Sequence, residues 1–328
     1  MPITEYREEY KPKSGFEFPE YYDRFDKGWS SIWRGFEAQM ESDVRDWKEA
    51  SEDERKLIGG ILKGFTQLEV VIGDYWSDVI PKMFPKHEII MMAKLYSLNE
   101  CIHAEAYNLL SDTLGINEFE EFLGDPVAQE KLRQYSQYEG KVSVGIFSGA
   151  GEGVSLFSSF AILLSFLLRG KFKGVGQIIS WSIADEQRHS DAACSLFRQL
   201  VREKGISQEE IDLIYKGFHC VLNNELRFLK NCLGGQTYNN VINLDNMTNF
   251  IYARANDRIR ELGLYSPERA FNYDPQKAFL ISEWFDHMSK GNISHDFFST
   301  AKEGSAYVAK PPQNWKEVDV TKLNLSFA

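Results

Sequence analysis

Apolar residues recur every three or four positions along most of the chain, and long runs of strict alternation are absent. This periodicity is typical of amphipathic helices and predicts an all-α fold. Ser51 and Glu54 form a capping-box pattern that opens one helix, while Pro81 and Gly115 are placed to end helices. We therefore expect helices over 27–43, 52–80, 87–114, 117–123, 126–138, 175–204, 207–232 and 245–263, and a further apolar helix ending before Gly170.

The pattern divides the chain of 328 residues into three parts. Residues 1–26 are polar and aromatic without periodicity, which predicts an N-terminal arm. Residues 27–301 carry the helical pattern and predict one large helical domain. From residue 302 the periodicity fails, Pro311 and Pro312 follow, and apolar residues alternate up to Phe327. We expect 302–328 to be a flexible tail whose apolar tip docks on a partner protein.

Composition and charge narrow the class of protein further. Hydrophobic residues make up 43% and charged residues 26%, which is typical of a soluble globular protein rather than a disordered one. The net charge of −11 and the lack of a basic cluster argue against a nucleic-acid partner. The four cysteines include no C-x-x-C pair and no secretory leader precedes them, so we expect reduced thiols and a cytoplasmic location.

One apolar segment resembles a membrane span. Between Val142 and Leu168 the only charged residue is Glu152. The uncharged run that follows Glu152 is shorter than the roughly 20 residues that usually span a bilayer. We therefore expect a helix buried inside the bundle and no membrane association.

Six residues predict a site for two metal ions: Glu69, Glu100, His103, Glu152, Glu186 and His189. Two of the groups are Glu-x-x-His pairs, and residues three apart on a helix project from one face. The remaining two glutamates lie singly in apolar surroundings. One Glu from each of two helices, with a Glu-x-x-His pair from each of two others, is the known pattern of ferritin-like dimetal carboxylate bundles.

The types of side chain favour iron or manganese. Carboxylates and imidazoles suit these ions, whereas a zinc site more often uses cysteine and fewer oxygens. Four glutamates converging in one core are hard to explain without cations, because a buried unpaired carboxylate is costly or shifts its pKa until it is neutral. Tyr107 lies four residues after His103 and shares its helix face, which puts an oxidisable phenol beside the site. The glycines around Glu152 mark either a local distortion or a close helix contact.

The sequence resembles the small, radical-generating subunit of class I ribonucleotide reductase over most of its length. Residues 98–107 are similar to that family's Glu-x-x-His-x-x-x-Tyr element, and residues 184–189 to its Asp-Glu-x-x-His element. Residues 249–263 resemble a later helix of the family. Trp284 and Phe285, with Asn292, Phe297 and Phe298, resemble the Asn-Phe-Phe region that follows it.

The resemblance implies the small subunit of a ribonucleoside-diphosphate reductase, which activates oxygen and is active only with a separate large subunit that reduces ribonucleotides. Tyr107 is the expected radical site, and Trp33 and Asp185 match the family's radical-transfer pair. Tyr307 is the first choice for the tail residue that carries the oxidant to the large subunit, with Trp315 as the alternative. Most members are homodimers, which we expect here too, and an activating flavoprotein is a further candidate partner.

The identity of the two metal ions stays open. The resemblance favours iron, but many members have Asp where this chain has Glu69, and glutamate there is familiar in subgroups with other metals. A manganese–iron or dimanganese centre is therefore an alternative. Those subgroups often lack the tyrosine that this chain keeps as Tyr107, so the metal pair is the alternative store of the oxidant.

A ligand-binding manganese–iron oxidase of the same superfamily is the alternative function. That group is similar in its ligands, but it forms a Val–Tyr crosslink, and the matching positions here are Ile72 and Phe147. It also lacks the radical tyrosine. Acyl desaturases do not account for the tail, and iron-storage ferritins do not account for Trp33 and Tyr107.

Overall fold

The computed structural model describes residues 2–6, 15–116, 126–133 and 137–289. Within these ranges the chain is helical and contains no β-strand; Tyr238 and Ile242 form an isolated bridge. The helices are α1 (Pro19–Trp29), α2 (Glu41–Glu49), α3 (Glu52–Asp74), α4 (Ile80–Met83), α5 (His87–Leu114), α6 (Pro126–Arg133), α7 (Gly140–Ile146), α8 (Phe157–Ser165), α9 (Lys173–Lys204), α10 (Gln208–Leu233), α11 (Leu244–Glu261) and α12 (Pro275–Ser289). Short 3-10 turns occupy Gly35–Glu37, Phe166–Arg169 and Pro267–Arg269.

Two stretches of π-helix interrupt this regular pattern. The first π segment, Tyr75–Val79, joins α3 to α4, and the second π segment, Phe147–Ser155, lies between α7 and α8. A π-helix inserts an extra residue into the turn, so it changes which side chains face the core. Both segments lie near the predicted metal site.

The core is a bundle in which α3 packs along α5 and α9 packs against α7, α8 and the second π segment. Helices α10 and α11 also contact the second π segment, and α1 packs on α5. Each core-facing side carries the apolar residues that the periodicity predicts, such as Ile61, Phe65 and Leu68 on α3. Removal of this apolar surface from water is the main driving force for the assembly.

Glycines let neighbouring helices approach the second π segment closely. A Cβ atom on Gly149 would lie 2.5 Å from Phe218 Cζ, and one on Gly153 would lie 2.5 Å from Arg258 Cδ. Neither could be accommodated unless the neighbour moved, because protein interiors are close-packed. The two explanations for these glycines therefore both hold, since a distorted helix and close helix contacts occur together.

A carboxylate of α2 anchors the start of α9, which carries two of the predicted metal ligands. Asp43 accepts hydrogen bonds from the backbone N–H groups of Gly174 at 2.9 Å and Val175 at 2.8 Å. These N–H groups have no partner within the helix, and a negative charge is favourable at a helix N-terminus. Contact between α2 and α9 thus fixes where the ligand-bearing helix begins.

The prediction for the N-terminal region is wrong in part. Instead of one helix over 27–43, the chain forms α1, a 3-10 turn and α2. Helix α1 begins at Pro19, inside the segment expected to be an arm, and Tyr21 is buried. A helix of this length shows too few turns for its period to be distinguished from a polar and aromatic coil, and its packing on α5 stabilises it.

Pro81 does not end the second long helix as predicted. The chain continues through the first π segment into α4, and Pro81 lies in the first turn of α4. Proline is tolerated there because first-turn N–H groups have no partner within the helix. The helix predicted over 126–138 corresponds to α6, which is described over Pro126–Arg133, and residues 137 and 138 are not helical. The helix predicted over 117–123 lies outside the described residues.

The remaining predicted helices are confirmed to within a few residues by α5, α9, α10 and α11. The helical run Gly140–Arg169 is long and apolar enough to cross a membrane by composition, but 94% of its most apolar window is buried inside the bundle. This confirms the prediction that the apolar segment around Glu152 is a core helix.

Candidate metal centre

Four helical elements bring the six predicted ligands into one cluster. Glu69 comes from α3, Glu100 and His103 from α5, Glu152 from the second π segment, and Glu186 and His189 from α9. No side chain of the six is more than 1% exposed. Their donor atoms form two overlapping groups, the first site (Glu69, Glu100, His103, Glu186) and the second site (Glu100, Glu152, Glu186, His189), each with its atoms within 4.8 Å of one another.

Glu100 and Glu186 belong to both sites. Glu100 Oε2 lies 3.1 Å from His103 Nδ1, and its other oxygen, Oε1, lies 2.7 Å from His189 Nδ1. Glu186 spans the same gap, with Oε1 3.0 Å from His103 Nδ1 and Oε2 3.5 Å from His189 Nδ1. A carboxylate that reaches both imidazoles with different oxygens has the geometry to bridge two cations.

Unpaired oxygens show that these residues fit a pair of cations. Neither oxygen of Glu69 accepts a hydrogen bond from the residues that the structure describes, and the same holds for Oε2 of Glu152. The nearest ring nitrogens are His103 Nδ1, 4.0 Å from Glu69, and His189 Nδ1, 3.9 Å from Glu152. Buried carboxylates without donors are costly unless they meet positive charge, and this donor set suits iron or manganese.

Without cations, the buried carboxylates and imidazoles of the cluster shift one another's pKa values. Burial and the charges of Glu100 and Glu186 raise the pKa of Glu69 well above its usual range. Burial and the same two charges raise the pKa of Glu152 in the same way. Burial alone would lower the pKa of His189, but Glu100 and Glu186 raise it to about 9. Protons held by these groups must therefore leave when metal ions bind.

Asp185 fixes the orientation of His103. Its Oδ2 lies 3.2 Å from His103 Nε2, so the Nε2–H donates to Asp185 and Nδ1 faces the carboxylates. Metal-binding histidines typically have such a partner because it sets the tautomer. Burial would raise the pKa of Asp185, but its contacts with His103 and Arg188 hold that pKa below its usual value. His189 Nε2 has no such partner among the described residues.

Trp33 extends this contact away from the cluster. Its indole N–H donates to the same Oδ2 of Asp185 at 2.8 Å, and its ring stacks on the His103 ring with centroids 5.6 Å apart. The centroid of the Trp181 ring lies 5.2 Å from that of the Trp33 ring. Trp33 is 7% exposed, so Trp33, Asp185 and His103 form a continuous path from the edge of the protein to the first site.

Tyr107 lies beside the first site and is fully buried. Its ring centroid is 6.3 Å from that of His103 and 4.9 Å from that of Phe65. Its hydroxyl has no hydrogen bond of ordinary geometry with the described residues, and Ser182 is its polar neighbour. Burial and the charge of Glu69 raise the pKa of this phenol well above its usual range. Tyr107 is therefore protonated and shielded from water.

Two aromatic residues that contact the cluster were missed by the sequence analysis. Trp76, in the first π segment, donates its indole N–H to Glu152 Oε1, and the Tyr96 ring lies 4.2 Å from the His189 ring. Trp76 follows Glu69 by two helical turns, and Tyr96 precedes Glu100 by one turn. The spacing argument that selected Tyr107 could therefore have selected both residues.

Several predicted features lie outside the described residues: Tyr307, Trp315, the tail over 302–328, and Asn292, Phe297 and Phe298. The two positions that matter for the rival oxidase are described. Ile72 is buried on α3. The Phe147 ring stacks on the Tyr75 ring, with the ring centroids 3.7 Å apart. A phenyl ring at position 147 offers no hydroxyl for the crosslink of that oxidase.

Fold and site together define a ferritin-like helical bundle whose core fits a dimetal site. The family model for "Ribonucleotide reductase, small chain" matches residues 14–273. The chain belongs to this family.

Individual relatives agree with this assignment. The chain is 34% identical over 239 residues to the probable ribonucleoside-diphosphate reductase small subunit 376L of Invertebrate iridescent virus 6, and the match covers 64% of each chain. It thus spans less than two thirds of that relative's length. The dimanganese(II)-NrdF of Streptococcus sanguinis matches with a TM-score of 0.71 and 19% identity over 84% of this chain and 100% of that one. The Rnr4 homodimer of Saccharomyces cerevisiae matches with a TM-score of 0.72 and 16% identity, and the match covers 87% of this chain and 92% of that one. At these identities the two structures establish the fold alone.

Proposed function

We propose that the chain is the small subunit of a ribonucleoside-diphosphate reductase and generates the oxidant that a large subunit uses to reduce ribonucleotides. The observation that carries this proposal is a combination of three features around one point. A buried ligand set for two cations has Tyr107 on one side, and His103 connects it through Asp185 to Trp33. A storage protein needs only the first of these features.

The six clustered residues are proposed to hold two metal ions, with Glu100 and Glu186 shared between them. Iron is the first choice, and the manganese–iron and dimanganese pairs are the alternatives that Glu69 leaves open. Bound there, such ions supply the redox chemistry that activates dioxygen or a reduced oxygen species. The protein contributes the fixed ligand geometry and the exclusion of water from the cluster.

Tyr107 is proposed to store the oxidant as a phenoxyl radical. Its burial keeps the hydroxyl away from solvent, and the raised pKa of the phenol keeps the proton on its oxygen until the residue is oxidised. The neighbouring ring of Phe65 offers no group that a radical could oxidise easily. The opposite arrangement, with the oxidant stored on the metal pair, leaves Tyr107 as a packed core residue.

Trp33 and Asp185 are proposed to carry the oxidising equivalent between the cluster and the large subunit. Asp185 holds Trp33 and His103 through one oxygen, so the two rings keep a fixed distance and orientation. Asp185 stays ionised because its pKa is lowered, and it can therefore accept the indole proton if Trp33 is oxidised. Tyr307, or else Trp315, is proposed to continue the route in the tail.

The proposed partners follow from the same function. The tail over 302–328 docks on the large subunit, and a second copy of the chain forms a homodimer, as Rnr4 does. Exposed apolar residues on α3 and α5 support a dimer contact, with Val70 57% and Leu98 44% exposed. An activating flavoprotein is a further proposed partner, and the assembly is expected in the cytoplasm.

Electron paramagnetic resonance after metal loading tests this proposal. Metal-free protein is loaded with ferrous ion or with manganous ion, exposed to oxygen, and its metal content is counted. A tyrosyl doublet that disappears in Tyr107→Phe but remains in Tyr96→Phe supports the proposal. Tyr96 is a matched control because its hydroxyl is also buried and without a hydrogen-bond partner among the described residues. Fewer than two ions per chain in every condition would contradict it.

A further inference from the structure

The two oxygens of Glu152 are in different environments. The indole N–H of Trp76 donates to Oε1, whereas Oε2 accepts no hydrogen bond from the described residues and lies 3.9 Å from His189 Nδ1. Trp76 is fully buried, so water does not compete for this hydrogen bond. Oε2 is therefore the oxygen of Glu152 that faces the second site without a hydrogen bond, whereas Oε1 already accepts from Trp76.

The direction of the Trp76 N–H is fixed by three rings around it. The Trp76 ring makes edge-on contacts with Tyr96 at 5.0 Å, Phe147 at 5.7 Å and His189 at 5.8 Å. Contacts of this kind favour one orientation and oppose rotation of a large planar side chain. Glu152 thus meets a rigid donor rather than an adaptable one.

The backbone that carries Glu152 is also held by side chains of other helices. Arg254 of α11 donates to the carbonyl of Gly153, and its guanidinium lies 3.2 Å from the centroid of the Phe157 ring. Ser190 of α9 donates to the carbonyl of Ser148 at 2.7 Å. These two side-chain hydrogen bonds tie the backbone on either side of Glu152 to α11 and α9.

Glu69, the corresponding residue of the first site, has none of these restraints. It lies in the regular helix α3, and neither of its oxygens accepts a hydrogen bond from the described residues. Its closest ring nitrogen is 4.0 Å away. Glu69 can therefore turn either oxygen, or both, toward a cation.

We propose that Trp76 is a positioning residue that restricts Glu152 to its Oε2 atom and thereby makes the two metal sites unequal. The second site is rigid and built in advance, and the first site is adaptable through Glu69. This inference rests on the proposed dimetal centre and adds a determinant of its metal affinity. Partners that orient metal ligands typically change metal affinity by about 10-fold to 100-fold when they are removed.

Titration of the metal-free full chain with Mn²⁺, with free Mn²⁺ followed by electron paramagnetic resonance, tests the inference without measuring activity. In the wild type we expect two ions with different affinities. In Trp76→Phe we expect the affinity for one of the two ions to fall by about tenfold or more. The control is Trp284→Phe, because the Trp284 indole N–H donates to the backbone carbonyl of Leu280 and not to a residue of the cluster. This control should titrate like the wild type.

A double-mutant comparison assigns the effect to Glu152. Trp76→Phe should add nothing in a Glu152→Ala background, whereas it should keep its full effect in a Glu69→Ala background. An equal effect in both backgrounds would mean that Trp76 acts through general packing, and it would overturn the inference. A wild type that binds fewer than two ions would instead overturn the proposed metal centre.

A second pair of variants tests the same claim through the glutamates themselves. In Glu152→Gln the Trp76 N–H should hold the amide oxygen, which leaves the –NH₂ group facing the cation, so the second site should be lost. Glu69→Gln should keep weakened binding, because its amide oxygen is free to turn. Addition of Trp76→Phe to Glu152→Gln should restore part of the lost binding. Equal losses in the two single variants, without restoration, would overturn the proposal even if Trp76→Phe alone were poorly folded.

Discussion

Trp33 and Asp185 are 152 residues apart in the chain and form a buried hydrogen bond of 2.8 Å between the indole N–H and Oδ2. The same oxygen accepts from His103, so one carboxylate joins a residue near the surface to a residue of the first site. Asp185 contacts the metal-site residue His103 directly, whereas Trp33 lies one hydrogen bond further out and supplies no donor atom to the cluster.

Replacement of Trp33 by Phe should separate formation of the oxidant from its use. We expect the metal content and the tyrosyl signal of Trp33→Phe to match the wild type, because all six ligands, Tyr107 and the Asp185–His103 contact are retained. Reductase activity with the large subunit should fall to the level of metal-free protein. Parallel assays of metal content, radical signal and activity check this, with Trp284→Phe as the control. Wild-type activity in Trp33→Phe would mean that Trp33 does not carry the oxidising equivalent to the large subunit.

Shared and unshared glutamates should differ in the number of ions that they retain. Glu100→Ala and Glu186→Ala each remove a ligand from both sites, so we expect little or no bound metal. Glu69→Ala and Glu152→Ala each remove a ligand from one site, so about one ion per chain should remain. Elemental analysis after dialysis against Mn²⁺ measures this. One retained ion in Glu100→Ala would mean that Glu100 does not bridge the sites.

Stability of the metal-free protein should fall as the pH rises, whereas metal affinity should rise. The pKa values of Glu69, Glu152, His103 and His189 are all raised in the fold. A group with a raised pKa stabilises the folded state below its unfolded pKa, and this contribution is lost as the pH passes the folded pKa. For His189 the window runs from 6.5 to about 9.

Calorimetry with chelator and with Mn²⁺ across this window checks the pH prediction. Without metal the melting temperature should decrease toward high pH, and His189→Gln should reduce this slope. With Mn²⁺ at 100 times the dissociation constant of a site, the fold should gain about 2.7 kcal/mol for each bound ion. Because binding displaces protons, that gain should increase with pH at a fixed Mn²⁺ concentration. Parallel slopes with and without metal would contradict the assignment of these protons to the cluster.

The bundle and the six clustered residues could be predicted because helical spacing determines which side chains share a face. Glu100 and His103, or Glu186 and His189, must project together from any regular helix. The same spacing also selects Trp76, which lies two turns after Glu69 in the first π segment. The N-terminal helix α1 escaped detection, since its stability depends on packing against α5 more than on its own sequence.

Other features depend on tertiary structure and had no local signal. Glycine at positions 149 and 153 indicates an unusual helix, but only the positions of Phe218 and Arg258 explain why a residue with a Cβ does not fit. Likewise, the Glu-x-x-His spacing does not reveal which carboxylates are shared. That distinction arises because α5 and α9 carry both members of a pair, whereas α3 and the second π segment contribute one ligand each.

Gly149→Ala and Gly60→Ala should change stability in opposite directions. A Cβ on Gly149 would lie 2.5 Å from Phe218 Cζ, so the ring or the second π segment must move, at a cost of about 1–3 kcal/mol. A Cβ on Gly60 would meet Cys232 Sγ at 3.8 Å, an ordinary contact. Alanine there should stabilise α3 by about 0.5–1 kcal/mol, because glycine is unfavourable inside a helix.

Urea unfolding of both glycine variants in the metal-free state measures these free energies. A Mn²⁺ titration then asks whether the strain reaches Glu152, which lies on the same π segment as Gly149. We expect Gly149→Ala to lower the affinity for one of the two ions. Gly60→Ala should leave both affinities unchanged. If Gly149→Ala lost stability but bound both ions like the wild type, the close contact with Phe218 would serve packing alone. The position of Glu152 would then depend on Trp76 and Arg254 rather than on the close approach of α10 at Gly149.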